Sequence, residues 1–476
     1  MTLSFDNSYA RLPAGFFEPQ PADPVPDPAL VALNRDLAAR LGLDGDWLAG
    51  PEGLAMLAGN AMPEGAEPIA QAYAGHQFGG FVPRLGDGRA VLLGEVVAPD
   101  GARFDLALKG SGRTAFSRGR SDGRAWTGPV LREYVLSEAM AALGVPTTRA
   151  LAAVTTGATV SRDGRQRPGA ILTRVAASHI RVGTFQYFAA RGDTDALERL
   201  CNYSISRHYP KADGPLGLLR AVAAAQGELI AAWMSFGFVH GVMNTDNMAI
   251  SGETIDYGPC AFLDAYHPRK VFSSIDQFGR YAFGQQAQIA IWNLAQLATS
   301  LLPLMGEKDA AIEAASAAVD SFIPIYQAAW LKRFGAKIGL ANATEGDLPL
   351  IHSLLERMAT EQADFTRVFS ALRRDPDAAG AEFTESLAFD QWAQDWRARL
   401  RTEADPSAVM ARANPLRIPR NHQVEAMIAA ALAGDYAPFH DLNAALADPF
   451  TEDTRYSEYE AAPRPFERIS QTFCGT

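Results

Sequence analysis

The segment His240–Gly258 reads HGVMNTDNMAISGETIDYG and places three oxygen-bearing side chains close together in the chain: Asp246, Asn247 and Asp256. Hard divalent cations such as Mg2+ take a few oxygens from protein and the rest from phosphates and water, so this donor set suits a metal that accompanies a nucleotide. The same Asn-Thr-Asp-Asn run also forms turns through side-chain hydrogen bonds to its own backbone. These residues alone leave both readings open. A further candidate is Lys109, which closes the apolar run FDLALK. A strand lysine aimed into a cleft binds phosphate as a point charge; the plainer reading is a solvated strand end. Its expected partner is a glutamate on the next helix. Glu133 stands in an apolar stripe with Val130, Leu136 and Met140, where an unpaired charge is expensive. Glu138 lies in a comparable stripe and is the second choice.

Two stretches, RLGDGRA (Arg84–Ala90) and KGSGRTAFSRGRSDGRA (Lys109–Ala125), are rich in Gly and Arg. Glycines let backbone amides approach phosphate oxygens, and arginines add charge in a bidentate fork. Neither stretch is a Walker loop or a GxGxxG match, and a Gly-rich turn is often only a turn. Arg113 within the second stretch, and Arg174 and Arg181 in LTRVAASHIRVG, add cations to an otherwise acidic chain; singly, Arg174 and Arg181 read more readily as surface ion pairs. In protein kinases a catalytic-loop Asp takes the acceptor proton, while an Asn and the Asp of a DFG triplet hold magnesium. Asp256-Tyr257-Gly258 corresponds to that triplet. The Asp expected two residues after the loop histidine is missing, because Val242 stands there. The histidines form no HExxH pattern and there is no GxSxG elbow, which argues against zinc-hydrolase and serine-hydrolase chemistry.

The elements that must position these residues are legible in outline. RAVLLGEVVAPDGARFDLALKG is two apolar runs joined by Pro-Asp-Gly, a hairpin. GPVLREYVLSEAMAALGVPTT reads as a helix with Pro129 in its first turn and Gly144 and Pro146 at its stop. ALAAVTTGATVSRDGRQRPGAILTRVA is a second hairpin, turning at Asp163-Gly164. PLGLLRAVAAAQGELIAAWMSFG places Leu218, Val222, Leu229 and Trp233 at helical spacing, with Gly237 as its cap. Further helices are expected over 276–305, 308–334, 347–373 and 384–401. Residues 1 to about 65 combine a Pro-rich extended stretch with a short helix.

The chain has 476 residues, 48% apolar and 20% charged, with a formal charge of -11. That balance supports a large core and gives no reason to expect nucleic acid as the partner. The opening residues lack a basic region followed by an apolar core, and the most apolar helix, IAIWNLAQLATSLLPLM, carries Asn, Gln, Thr and Ser, so neither a secretory signal nor a membrane span is expected. Three cysteines, Cys201, Cys260 and Cys474, are too few for a disulfide framework and fit a reducing cytoplasm.

Taken in order, YAGHQFG, LKGSGRT, SDGRA, LREYVLSEAMAALGVPTTRAL, HGVMNTDNM and DYGPCAFLD, with FDNSYARLP at the start and FCGT at the end, resemble the selenoprotein O family of kinase-like proteins over essentially the whole chain. The resemblance implies an α+β, protein-kinase-like two-lobed fold: residues 1–65 as an extension packed on the core, 66–195 as a β-rich N-lobe with one key helix, and 196–476 as a mostly helical C-lobe with a C-terminal tail. It implies ATP bound in a flipped orientation and transfer of AMP, rather than phosphate, to Ser, Thr or Tyr hydroxyls of proteins. Asp246 would be the proton acceptor, Asn247 and Asp256 the ligands of Mg2+ or Mn2+, and Lys109 the phosphate-side lysine paired with Glu133. Gly86, Gly88, Arg89, Asp122, Gly123, Arg174 and Arg181, with Lys109 and Asp256, would contact ATP. The expected partners are ATP and protein substrates, without nucleic acid or membrane. An exposed, redox-active Cys474 with Cys260 as its partner is a further expectation. A γ-phosphate-transferring kinase and an inactive ATP-binding scaffold are the competing functions.

Overall fold

The two expected hairpins form the centre of one antiparallel sheet in the computed structural model, which describes residues 4–119, 121–162, 164–375, 378–384 and 386–473. Its strands are β1 (Phe17–Pro19), β2 (Ala29–Leu33), β3 (Ile69–Gln71), β4 (Ala90–Val97), β5 (Arg103–Lys109), β6 (Arg149–Arg162) and β7 (Arg165–Ala176), in the order β1-β3-β4-β5-β7-β6-β2; Ala125–Trp126 also pairs with β7. The β4–β5 turn lies at Pro99-Asp100-Gly101, with Gly101 in the left-handed region (φ 84°) that this tight connection requires. The β6–β7 turn falls at Gly164, as read; Asp163 lies outside the described residues. β1, β2 and β3 carry weak sequence signals and were not expected. β2 and β3 take their places by pairing with longer neighbours, and β1 adds to the edge through β3.

Register decides which side chains share a face. Lys109 of β5 lies opposite Leu172 of β7, and Arg174 lies opposite Ala107. Side chains alternate along a strand, so Asp105, Ala107 and Lys109 share one face with Arg174, while Leu106 and Leu108 point to the other. The Leu106 and Leu108 face packs on Leu37, Leu41, Leu48, Met56 and Leu57 from the short N-terminal helices. The opposite face is covered by helix α1 (Thr127–Ala142). Both faces are therefore buried, and a polar residue on the α1 side must find a partner there.

From residue 182 the described chain is helices joined by loops, the longest of them from His240 to Ala282 around one two-stranded pair. α2 (Val182–Ala189), α3 (Thr194–His208) and α4 (Gly214–Phe236) follow the sheet. α4 ends at Gly237, which takes the left-handed C-cap conformation (φ 70°). Three expected helices have different bounds. The helix placed over 276–305 starts only at Gln286 and runs to Leu301, because the Asp276 carboxylate accepts from the backbone N–H groups of Arg280 and Tyr281 and holds the preceding residues in turns. The stretch 308–334 is two helices, Lys308–Asp320 and Phe322–Lys337; Pro324 has no N–H to continue the first and sits in the first turn of the second. The stretch 347–373 divides into Leu348–Glu361 and Phe365–Arg374 at Gln362, which adopts a left-handed conformation (φ 54°). The last, Ser386–Leu400, falls within its expected range. No helix among the described residues is long and apolar enough to cross a membrane.

The C-terminal helices Asn421–Leu432 and Ala437–Leu446 return to α1, where Val424, Met427, Phe439 and Leu442 pack with Val130, Leu131, Tyr134 and Val135. Arg420, just before the first of them, is 1% exposed and bridges Asp264 (2.8 Å) and Asp364 (2.9 Å). Removing one partner of a buried ion group strands the others. Arg420→Ala is therefore expected to lower unfolding free energy by about 3–5 kcal/mol, whereas loss of the exposed Arg35–Asp46 pair in Arg35→Ala costs less than about 1 kcal/mol. Urea denaturation of the two variants side by side checks the contrast.

Candidate functional site

The loop His240–Gly258 lies between the two strands of a small sheet, Phe238–Val239 and Ala261–Phe262. His240 is fully buried: its Nε2 lies 2.9 Å from the Ile255 carbonyl, its ring stacks on Trp233, and burial pushes it below its usual range, so it is a neutral structural residue. Val242 is buried as well. Two backbone pairings fix where the loop goes. Ile180 and Val182 pair with Met248 and Ile250, directly after Asn247. Thr254 pairs with Pro146 and Thr148 after α1, and its hydroxyl accepts from Trp233 Nε1 (2.8 Å). Arg132 of α1 donates to the Gly258 carbonyl (3.2 Å) and to the Cys260 carbonyl, holding the exit of the loop.

Asp256 emerges from these pairings with φ 65°, a left-handed conformation uncommon for a residue with a Cβ. Its carboxylate is gripped by three cations. Oδ1 accepts from Lys109 Nζ (2.7 Å) and Arg174 Nη1 (2.7 Å), and Oδ2 accepts from Arg181 Nη1 (2.8 Å). Glu133 completes the cluster, with Oε2 at 2.6 Å from Lys109 Nζ and Oε1 at 3.3 Å from Arg174 Nη1. Burial raises the Asp256 carboxyl, but Lys109, Arg174 and Arg181 together outweigh it and hold the group well below the usual carboxylate range. Glu138, the second choice for the lysine, instead takes Arg149 (2.6 Å) and the Asn34 amide (2.7 Å). Arg174 and Arg181 are buried, not surface arginines.

Arg181 joins this cluster to the loop. Its Nη1 also donates to the Asp246 carbonyl (2.7 Å), and its guanidinium lies over the Tyr73 ring (4.5 Å). Asp246 itself is buried. Oδ2 accepts from Gln77 Nε2 (3.1 Å), while Oδ1 has no partner among the described residues. Burial pushes this carboxyl up to about 6, with Gln77 opposing the rise. A carboxylate in that range takes a proton near neutral pH. Asn247 donates its amide to the Val242 carbonyl (2.9 Å), which leaves its side-chain oxygen as a donor for a cation. Among the described residues no group of three His, Cys, Asp or Glu forms a metal cage. The oxygen-only set of Asn247 and Asp256 fits a hard divalent ion that takes its remaining ligands from phosphates and water.

The Gly-rich stretches stand beside the cluster and are stitched to each other. Thr114 Oγ1 donates to the Asp87 carbonyl and Ser117 Oγ to the Gly88 carbonyl. Gly86 (φ 71°) has no room for a side chain, since an added Cβ would lie 2.2 Å from the Phe116 ring. Gly123 (φ 67°) is equally constrained by the Gly112 carbonyl at 1.9 Å. Arg89 is half-buried. The Asp122 carboxylate is held in a fork by Arg162 (2.7 and 2.9 Å), which lowers it below its usual range. Arg113 is exposed, and its backbone N–H donates to Asp23. Cys260 is buried, and Cys474 lies outside the described residues.

Sequence reasoning missed a second layer. Arg174 Nε donates to His179 Nε2 (3.1 Å); His179 Nδ1 lies 2.8 Å from Asp105; Asp105 takes Arg207 (2.6 Å), which also pairs with Glu95. Burial first, and Arg174 next, keep His179 below its usual range, so neutral His179 accepts from the arginine and donates to Asp105. The signal was present in FDLALK: a carboxylate four residues before Lys109 on a strand must share its face. Gln77, in YAGHQFG, was also passed over.

Comparisons with known proteins bear on this geometry. The family model described as protein adenylyltransferase SelO matches residues 1–447. A protein nucleotidyltransferase YdiU of Ruegeria pomeroyi is 57% identical over 476 residues, and one of Roseobacter denitrificans is 59% identical over 477, each alignment covering all of both chains. A third, from Jannaschia sp., is 58% identical over 478 residues, 99% of each chain.

Asp256→Ala separates the roles in the cluster. Without the carboxylate, the metal-dependent gain in ATP affinity is expected to vanish, while affinity for ATP in EDTA rises because three cations lose a competing anion. Titration calorimetry with and without Mg2+ measures both; a full metal-dependent gain in the variant removes Asp256 from the metal role.

Proposed function

The chain belongs to the SelO family, and from that premise we propose that it transfers AMP from ATP to Ser, Thr or Tyr hydroxyls of proteins and releases pyrophosphate. The observation that carries this reading is the convergence of Lys109, Arg174 and Arg181 on the single carboxylate of Asp256. Glu133 and Asp256 offset two of those three charges, and buried Asp87, 3.9 Å from Arg181, faces the third. Three buried cations gathered at one place can exchange these carboxylates for a polyanion.

In AMP transfer the acceptor oxygen attacks the α-phosphorus. The new O–P bond forms as the bond between the α-phosphorus and the α–β bridging oxygen breaks, and pyrophosphate departs with that electron pair. Pyrophosphate is a highly charged leaving group, so the cations belong around the β and γ phosphates, with those groups inward. Asp246 receives the acceptor proton on Oδ1, the oxygen that has no partner among the described residues. Lys109, Arg174 and Arg181 turn from Asp256 toward the phosphates. Asn247 and Asp256 would hold Mg2+ or Mn2+, and the ion would supply neutralisation of the phosphate charge. Gly86, Gly88 and Gly123 let the chain pass close to the nucleotide where a side chain would clash, Arg89 meets it with its guanidinium, and Asp122 acts from its fork with Arg162.

The same reading takes the sheet region, residues 66–195, and the helical region, residues 196–476, as the two lobes of a kinase-like fold with residues 1–65 packed on it. It takes the cytoplasm as the location and proteins as the partners, without nucleic acid or membrane.

Incubation of the protein with divalent metal and ATP labelled at either the α or the γ position tests the reading, with auto-modification as readout. Label from the α position is expected on protein, with pyrophosphate released. Retention of γ label without α label would make it a kinase, and retention of neither would leave an ATP-binding scaffold.

A further inference from the structure

Gln77 ends the strand Gly75–Gln77, which pairs with Gly80–Val82 in a short hairpin outside the main sheet. This hairpin is tied to three consecutive residues of the loop that carries Asp246. His76 N–H donates to Thr245 Oγ1 (2.7 Å), Gln77 Nε2 to Asp246 Oδ2 (3.1 Å) and Phe78 N–H to Asn244 Oδ1 (3.1 Å). Gln186 of α2 braces the joint, accepting from Thr245 Oγ1 (2.6 Å) and lying 2.8 Å from His76 Nδ1. Phe78 is held with φ 52°, and its ring packs on Tyr281, whose hydroxyl donates to the same Asn244 oxygen. An aromatic residue keeps such a backbone only where its surroundings over-determine it.

The chemistry of the neighbours sets the Gln77 amide unambiguously. Ionised Asp246 only accepts, so the amide nitrogen must face it. Arg118 only donates, and its Nη1 lies 3.2 Å from Gln77 Oε1, so the oxygen must face that side. Both ends of this side chain are therefore spent across to other elements, not on its own hairpin. Gly75 shapes the other side of the carboxylate: a Cβ there would lie 2.5 Å from Asp246 Oδ1.

A carboxylate that must take a proton on one oxygen has to be stopped from rotating about its Cβ–Cγ bond. We propose that Gln77 is the positioning residue for this reaction, holding Oδ2 of Asp246 so that Oδ1 alone is presented to the acceptor hydroxyl. This rests on the reading of Asp246 as the proton acceptor.

The test uses the full-length protein, α-labelled ATP with Mg2+, and auto-modification, fitted for its maximal rate and for the ATP concentration that gives half of it. Gln77→Leu keeps the volume and removes both polar ends; Gln77→Glu keeps the shape and the acceptor for Arg118 and removes the donor. Both variants are expected to lose about 10- to 100-fold in maximal rate, the scale of a misplaced catalytic group, with half-saturating ATP and melting temperature at wild-type values. In the double variant Asp246→Ala/Gln77→Leu, the rate is expected to equal that of Asp246→Ala alone, because a residue that acts only through another adds nothing once that other is gone. A wild-type maximal rate in Gln77→Leu, or a further fall in the double variant, overturns the proposal. If Asp246→Ala itself transfers AMP at the wild-type rate, the base reading fails instead.

Discussion

One carboxylate organises this molecule. Asp256 draws Lys109 from a central strand, Arg174 from the strand beside it and Arg181 from the start of α2 onto two oxygen atoms. Burying four charges together is tolerable only if each is hydrogen-bonded and the set is close to neutral. Glu133 supplies the second negative charge from α1. The sheet, α1, α2 and the loop after α4 are thus fixed to one another through an ion cluster as well as through apolar packing.

Such a cluster needs its own supports. Arg174 is steadied by His179, His179 by Asp105, and Asp105 by Arg207, which reaches Glu95; Glu95 in turn accepts from Ser8 and from the Tyr9 backbone N–H near the N-terminus. The charges alternate in sign along this chain, so no buried ion faces only its own kind. Arg132 does the corresponding work for the backbone after Asp256. The arrangement also makes chemical sense of the site. The cations rest on Asp256 and Glu133; in the proposed reaction a polyphosphate with its metal would give both sides other partners, so that binding would exchange one paired arrangement for another.

The errors in the helix expectations have local causes. Pro324 and left-handed Gln362 interrupt apolar patterns that continue through them, because periodicity reports which face is buried and says little about whether the backbone hydrogen bonds run on. Asp276 delays the start of the helix at Gln286 by capturing N–H groups with its side chain. The short strands β1, β2 and β3 escaped notice for the opposite reason: each has only three to five residues, too few for alternation to register, and β2 and β3 exist because a longer strand offers an edge, to which β1 adds through β3.

What the sequence by itself determined is what short range can carry: two hairpins through their Gly turns, α1 and α4 with their stops, the placing of Lys109 at a strand end, and an oxygen-rich loop directly after a helix. It also named the cluster members one at a time. It ranked Glu133 ahead of Glu138 without excluding the second, since both lie in apolar stripes of the same helix; the packing of α1 on the sheet turned Glu133 toward Lys109 and Glu138 toward Arg149. Nor did it show that His179, Asp105 and Arg207 back up Arg174, or that Gln77 meets Asp246. The reason is separation: Lys109 and Asp256 are 147 residues apart, and Gln77 and Asp246 are 169 apart. Periodicity and turn chemistry reach a few residues along the chain. A contact across such distances exists only once the strands have paired in register and the helices have closed over them.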